Sequence, residues 1–415
     1  WRARGDPRGE FVEVQLALAD MPRWHPDRPA LESRQLALQR AHLQSWRDAL
    51  PHGDLAVHFQ RGFAWSVSGT PAEVRDDLPR LAEHAPVTHV DLEVDEDDGP
   101  DTALPELEEC AALAGVRELA ISDGFIEPAA FGALLAADVW RELRGVTLGD
   151  AMCSRQHAAE LARVHPAAPL RRIHLAGHIS GIGDDGVDEL LRAPCTAGLD
   201  ELLLHGQGLT DGSLVALAQS PLRLRHLGLA SVGYRDNRFT AAAVRAAARA
   251  PWLAELDSIT LTGAAEGDAL PELLAAGRSL RAAWLSRTEL DAAALQAIVD
   301  ATGFADWREL AVSGNPIGDA GARALAAGPA LPRVLALAGC GIGPDGLRAL
   351  AAAPPVDALD LRDNPLPADG WSALLAMDRL PRTTALMVHA RDWPVELVDA
   401  VRRRYPRADL IGAAT

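Results

Sequence analysis

Apolar residues recur along the chain in one short pattern, L-x-x-L-x-L. Clear copies are Val116-Leu119-Ile121, Leu143-Val146-Leu148, Leu170-Ile173-Leu175, Leu199-Leu202-Leu204 and Leu224-Leu227-Leu229. Three more follow at Leu256-Ile259-Leu261, Trp307-Leu310-Val312 and Val356-Leu359-Leu361, with degenerate copies centred on Val90, Ala283, Leu335 and Leu386. The central positions run 90, 119, 146, 173, 202, 227, 259, 283, 310, 335, 359 and 386, a mean period of about 27 residues. The spacing of two at the end of each copy fits a strand with alternate side chains turned inward. Behind each copy comes a turn and then an amphipathic helical stretch, as in Asp185–Ala193, Asp319–Ala327 and Pro344–Ala353. One such strand-turn-helix unit cannot bury its own apolar faces, so the units must stack into a common core. The pattern predicts an α/β solenoid of about twelve repeats, with a parallel inner sheet and outer helices.

The segments Leu310–Ala327 (LAVSGNPIGDAGARALAA) and Leu359–Ala376 resemble the ribonuclease-inhibitor-like subfamily of leucine-rich repeats in a bacterial form, over about residues 85–400. The resemblance implies a right-handed horseshoe. It also implies an Asn after each strand whose amide satisfies backbone groups of the turn. Asn315 and Asn364 match; the same position elsewhere holds Gly124, Ala151, His178, Gln207, Val232, Ala264, Thr288, Cys340 and Arg391. An incomplete ladder and an irregular middle are therefore expected.

The first eighty residues do not repeat. Phe11, Val14 and Leu18 fall at helical spacing up to Pro22, and Leu31, Leu38, Leu43, Trp46 and Leu50 mark a second helix. Val57, Phe59, Phe63 and Trp65 read as a strand or hairpin around Gly62. A terminal unit of this kind is needed to cover the flank of the first repeat. The run Arg4–Leu18 (RGDPRGEFVEVQLAL), with Gln60–Phe63 further on, resembles the bacterial repeat-companion domain that precedes such repeats; that family has a further helix upstream, so a truncated start is expected here. The expected organisation is a cap over 1–80, repeats over 81–394 and a capping helix with tail over 395–415. In the last of these, three arginines close the helix Val395–Tyr405 and complement its dipole, with a docking role as the alternative.

Composition narrows function by exclusion. No run of eighteen apolar residues exists, so no membrane span is expected. All 40 basic residues are Arg, which removes any Schiff-base, P-loop or kinase lysine. Cys110, Cys153, Cys195 and Cys340 are widely separated and read as reduced, buried thiols, not as a disulfide framework or zinc site. No hydrolase, zincin or dinucleotide motif is present, and Asp184-Asp185 reads as a cap of the turn into a helix. No enzyme activity, cofactor or metal is expected. No secretory signal is visible, and a cytoplasmic home is expected.

The net charge of −18 is uneven. Residues 81–140 hold 1 arginine and 15 acidic residues, a net of −14. Asp95, Glu96, Asp97, Asp98 and Asp101 form the densest run; it is either a solvated loop or a patch that steers a basic partner. Nucleic acid is disfavoured by this balance.

What remains is a surface. Strand positions beside the inward leucines face the concave side, where the middle repeats place Arg172, His174, Glu201, Leu203, His205, His226, Arg281, Trp284 and Arg287, with His89, Glu118 and Glu309 on the same face. Trp284 between Arg281 and Arg287 has the composition of an interface anchor; the alternative is a core-filling residue in a degenerate repeat. The longest repeat carries the insertion Tyr234–Phe239, and Tyr234, Arg235, Arg238 and Phe239 are candidates for a rim contact, although Phe239 also suits the start of the next helix. The expected function is a scaffold that binds a protein or peptide. The alternative is an inhibitor or regulator of a partner enzyme, anchored by the acidic repeats, and a distant third is an enzyme with an unrecognised site.

Overall fold

A computed structural model describes the chain except for residues 2–3, 22–26, 95–104, 124–125, 150–152, 165–168, 178–179, 232–235, 302, 377–382, 392, 407 and 413–415. The described chain packs as two compact units, 1–208 and 209–231 with 236–415. The non-repeating segment shares its unit with the first repeats.

The first unit opens with α1 (Pro7–Asp20) and α2 (Arg28–Asp48). Asp6 caps α1 by accepting the Arg8 N–H at 2.9 Å, and Pro7 occupies the first turn, where its missing donor costs nothing. Phe11, Val14 and Leu18 of α1 close on Leu38 and Trp46 of α2, the spacing expected from the sequence. A hairpin follows, β1 (Ala56–Gln60) and β2 (Phe63–Gly69), paired antiparallel. Its two-residue turn is Arg61-Gly62, both left-handed at φ 49° and 77°, the twist that tight hairpins demand. Strand β2 then serves a second role: its other edge pairs parallel with β3 (His89–Glu93), so the hairpin is continuous with the parallel strands that follow. Between them α3 (Pro71–Ala82) begins on a capping box of Thr70 and Glu73.

Beyond β3, strands β4 (Glu118–Asp123), β5 (Gly145–Leu148), β6 (Arg172–Ala176) and β7 (Glu201–His205) add in parallel, in chain order. Helices α4 (Pro128–Ala136), α5 (Arg155–Ala162) and α6 (Gly183–Arg192) alternate with them. Leu119, Val146, Ile173 and Leu202 stand opposite one another in register and are all buried.

The second unit repeats this plan. Its strands are β8 (His226–Gly228), β9 (Ser258–Thr260), β10 (Ala282–Trp284), β11 (Glu309–Ala311), β12 (Val334–Ala336), β13 (Val356–Asp360), β14 (Thr383–His389) and β15 (Asp409–Ile411), and from β9 onward each is parallel to the one before. The helices are α7 (Asp211–Gln219), α8 (Ala241–Ala247), α9 (Leu270–Ala276), α10 (Ala292–Val299), α11 (Gly318–Ala327), α12 (Pro344–Ala352), α13 (Ala368–Ala376) and α14 (Val395–Arg404). Every one of the twelve expected strand centres lies in a strand. The last helix, α14, buries Leu397, Val398 and Val401, and the chain then adds β15, which the sequence does not announce.

The turn ladder is fuller than the spacing suggests. Asn315 accepts from the Thr288 and Leu290 N–H groups at 2.8 and 3.0 Å and donates to the Leu285 and Val312 carbonyls, both at 2.8 Å. Asn364 does the same between Cys340, Ile342, Leu337 and Leu361. Gln207, one methylene longer, accepts from Ile182 N–H at 3.2 Å and donates to Leu175 and His205 carbonyls. In the irregular middle the role falls to Asn237, inside the insertion. It accepts from Leu209 N–H at 3.0 Å and donates to the Leu229 and Ala230 carbonyls at 3.1 and 3.2 Å. The ladder position by count is Val232, so the insertion displaces the amide by five residues and still delivers it.

Asn237→Ala leaves three buried backbone groups without partners and is expected to cost about 2–4 kcal/mol in urea unfolding, as for Asn315→Ala. The exposed neighbour substitution Asp236→Ala should stay within about 0.5 kcal/mol. A tolerated Asn237→Ala would mean that the insertion holds itself.

Candidate functional site

Along β6, β7 and β10 buried residues alternate with half-exposed or exposed ones, and the buried positions are the pattern leucines with Ile173 and Ala283. On the first unit one register row reads His89, Glu118, Gly145, Arg172, Glu201. The Arg172 guanidinium lies between two carboxylates. Nε donates to Glu201 Oε2 at 3.0 Å on the adjacent strand, and Nη1 lies 3.2 Å from Glu118 Oε1, two strands away. That second contact spans β5, and it passes over Gly145. A Cβ at position 145 would sit 1.8 Å from Glu118 Oε2, so the glycine is what lets the carboxylate cross.

Three imidazoles surround this triad. The His174 and His205 rings lie 5.6 Å apart, edge to face, and the His89 ring packs 3.8 Å from the Trp65 ring while its Nδ1 meets Thr88 Oγ1 at 2.9 Å. Burial pushes His89 down to about 4, helped by the Arg172 charge; burial also pushes His205 down to about 4, helped by His174. His174 is lowered as well, chiefly by burial. Buried His205 Nε2 has no hydrogen-bond partner among the described residues. Burial raises Glu118 above the ordinary range for a glutamate, against the pull of Arg172. At neutral pH the face thus carries neutral rings around one charged clamp. Leu203, half-buried beside His174, supplies its apolar surface.

On the second unit Trp284 resolves in favour of the surface. Ala283 is buried while Trp284 and Ala282 are half-exposed, so β10 is not turned, and the indole Nε1 donates to Glu309 Oε1 at 3.0 Å on the next strand. His226 Nδ1 meets Ser258 Oγ at 2.8 Å. Arg281 donates to the Leu280 carbonyl at 3.1 Å, and Arg287 is exposed with φ 57°. The register row of Trp284 runs through Ala311 and Ala336 to Asp360, 5% exposed and gripped by Arg362 at 2.6 and 2.9 Å, and on to Met387. Arg238 is exposed, 3.7 Å from Asp236. Phe239 is corrected: at 2% exposure it is a core residue, with its N–H on the Ala264 carbonyl at 2.7 Å, and is closed to a partner. Tyr234, Arg235 and the acidic run Asp95, Glu96, Asp97, Asp98 and Asp101 lie outside the described residues.

Chemistry is sparse on these faces. The four cysteines are free and buried; burial pushes Cys153 up to about 12 and Cys195 and Cys340 up to about 11, so none is a ready nucleophile. Among the described residues no group of three or more His, Cys, Asp or Glu side chains is placed to hold a metal ion. No described helix is long and apolar enough to cross a membrane.

Comparison with known proteins bears on the repeats. A family model described as Leucine Rich repeat matches residues 308–326 and 333–351. A chain in the solved structure titled "Crystal structure of Rad7 and Elc1 complex in yeast" is 13% identical, with a TM-score of 0.46 over 99% of this chain and 93% of that one. Among curated proteins nothing matches. Residues 308–326 and 333–351, which hold β11, α11, β12 and most of α12, thus match leucine-rich repeats.

The histidines give the face a pH signature. Their unfolded value is about 6.5, and folding lowers it. The folded state therefore binds fewer protons, and stability that is full above pH about 6.5 is lost as pH falls towards 4. The urea midpoint should drop between pH 7 and 5, and His89→Gln with His205→Gln should flatten that drop. An unchanged slope in the double variant would place the titration elsewhere.

Proposed function

We propose that this protein is an interaction scaffold that recognises a polypeptide on the helix-free face of its repeats. The observation that carries the reading is the Glu118–Arg172–Glu201 clamp, pre-set across three strands with neutral histidines and Leu203 around it. Such a surface offers fixed hydrogen-bonding groups and apolar area without a reacting group. Trp284, held by Glu309, gives the second unit an aromatic of the kind that anchors interfaces. The ribonuclease-inhibitor-like subfamily, a bacterial origin and a repeat-companion cap over 1–80 remain our reading of the sequence. Four free, buried thiols fit a reducing, cytoplasmic setting. A second reading, regulation of a basic partner enzyme, rests on the net −14 of residues 81–140.

Affinity capture with the full chain, followed by mass spectrometry, names the partner. Arg172→Ala or Trp284→Ala should then weaken its binding by about 1–3 kcal/mol, and Gly145→Ala, which blocks the Glu118 reach without removing a charge, should weaken it in the same direction. Undiminished binding by all three folded variants would sink the face reading. For the second reading, neutralising Asp95, Glu96, Asp97 and Asp98 should flatten the salt dependence of binding.

A further inference from the structure

A second ordered surface lies one residue upstream of the face, where the chain enters each strand. In the first unit the residues there on β4, β5 and β6 are Arg117, Arg144 and Arg171. Each N–H donates to the preceding member's carbonyl: Arg144 to Arg117 at 2.7 Å and Arg171 to Arg144 at 2.6 Å. The file ends where Asp200 N–H meets the Arg171 carbonyl at 2.9 Å, and the Asp200 carboxylate pairs with Arg171 at 3.2 Å. The second unit carries the same arrangement. Arg281, Arg308 and Arg333 precede β10, β11 and β12, the Arg308 N–H donates to Arg281 at 2.7 Å, and Asp357 closes the file against Arg333 at 3.1 Å.

Three like charges on adjacent strands, about 4.8 Å apart, repel one another. Of the three arginines in each file only the last has a carboxylate on the next strand; in the second unit Asp257 also stands one strand before Arg281, whose N–H donates to the Asp257 carbonyl at 2.8 Å. Arg144 otherwise leans on the Leu143 carbonyl at 2.8 Å with Glu142 at 3.8 Å, and Arg281 on the Leu280 carbonyl. The side chains of Arg117 and Arg308, both exposed, have no hydrogen bond or ion pair among the described residues. The arginines thus follow one another strand by strand with guanidinium donors to spare, in a chain whose net charge is −18.

We infer that each arginine file binds an acidic polypeptide segment, its carboxylates taken up one after another by successive repeats. This rests on the proposed polypeptide recognition and names the chemistry of the partner. A polyphosphate or nucleic acid backbone suits the edge less well. The next row holds Glu118 and Glu201, on β4 and β7, either side of Arg172 in one unit, a net of one negative charge, and Glu309 in the other. These carboxylates repel a phosphate chain, whereas a peptide brings N–H donors that they accept.

The test uses the full chain and a fluorescein-labelled oligoglutamate, followed by anisotropy at low salt. The peptide should bind, and added salt should weaken it. The triple variants R117Q/R144Q/R171Q and R281Q/R308Q/R333Q should each raise Kd on the order of tenfold. Removing the same charge from the end of α14, in R402Q/R403Q/R404Q, should leave Kd in place. No binding, an equal loss in that control, or tighter binding of an oligothymidylate each overturns the inference. If a triple variant fails to fold, the single changes Arg117→Gln and Arg308→Gln decide, because they break no ion pair: each should weaken the peptide measurably, and no change overturns the inference. The two readings separate cleanly. A captured partner that survives both triple variants but not Arg172→Ala removes the arginine file and keeps the face. Loss with the triple variants alone does the reverse.

Discussion

Everything in this molecule depends on strands that are too short to stand alone. A strand of three to seven residues and a helix of about two turns bury little of their own apolar surface, so each repeat is stable only against its neighbours. The register that follows is strict. The carbonyl before one strand accepts two successive N–H groups of the next, as Arg171 does from Asp200 and Glu201 at 2.9 and 3.0 Å. Once that bond fixes the register, residues at equal positions in successive repeats fall into files. One file becomes the leucine core, one the half-exposed face and one the arginine edge.

The files explain which parts were legible in the sequence. The strand centres were, because a leucine period survives degenerate copies such as Ala283, where a small residue keeps the inward position. The hairpin was, because Arg-Gly between alternating apolar residues has few other structures open to it. The face residues Arg172, His174, Glu201 and Trp284 were placed by the same count. The Glu118–Arg172 contact was not, because it joins strands that are not adjacent and hinges on a missing side chain at Gly145. Its only trace in the sequence is a glycine where a strand would take a larger residue.

The insertion shows how a count misleads. Five extra residues move the turn amide from position 232 to Asn237 and turn Phe239 into the core, so both misreadings have one cause. The backbone groups of the turn are buried and must be paired, and that demand, not the sequence interval, fixes where the amide goes. Strand β15 was missed for another reason. It is three residues long, follows a helix that already looks terminal, and gains its meaning only from the β14 edge that it covers.

The reach of Glu118 over Gly145 also bears on how the first unit comes apart. A repeat array in which each unit touches only its neighbours can unzip from either end, one repeat at a time. An ion pair between repeats two apart ties three of them together: β5 cannot leave without severing what holds β4 to β6. The pair, partly exposed, adds a small link between repeats that are not neighbours, and it lies in the stretch from Glu118 to Glu201 that also carries the clamp.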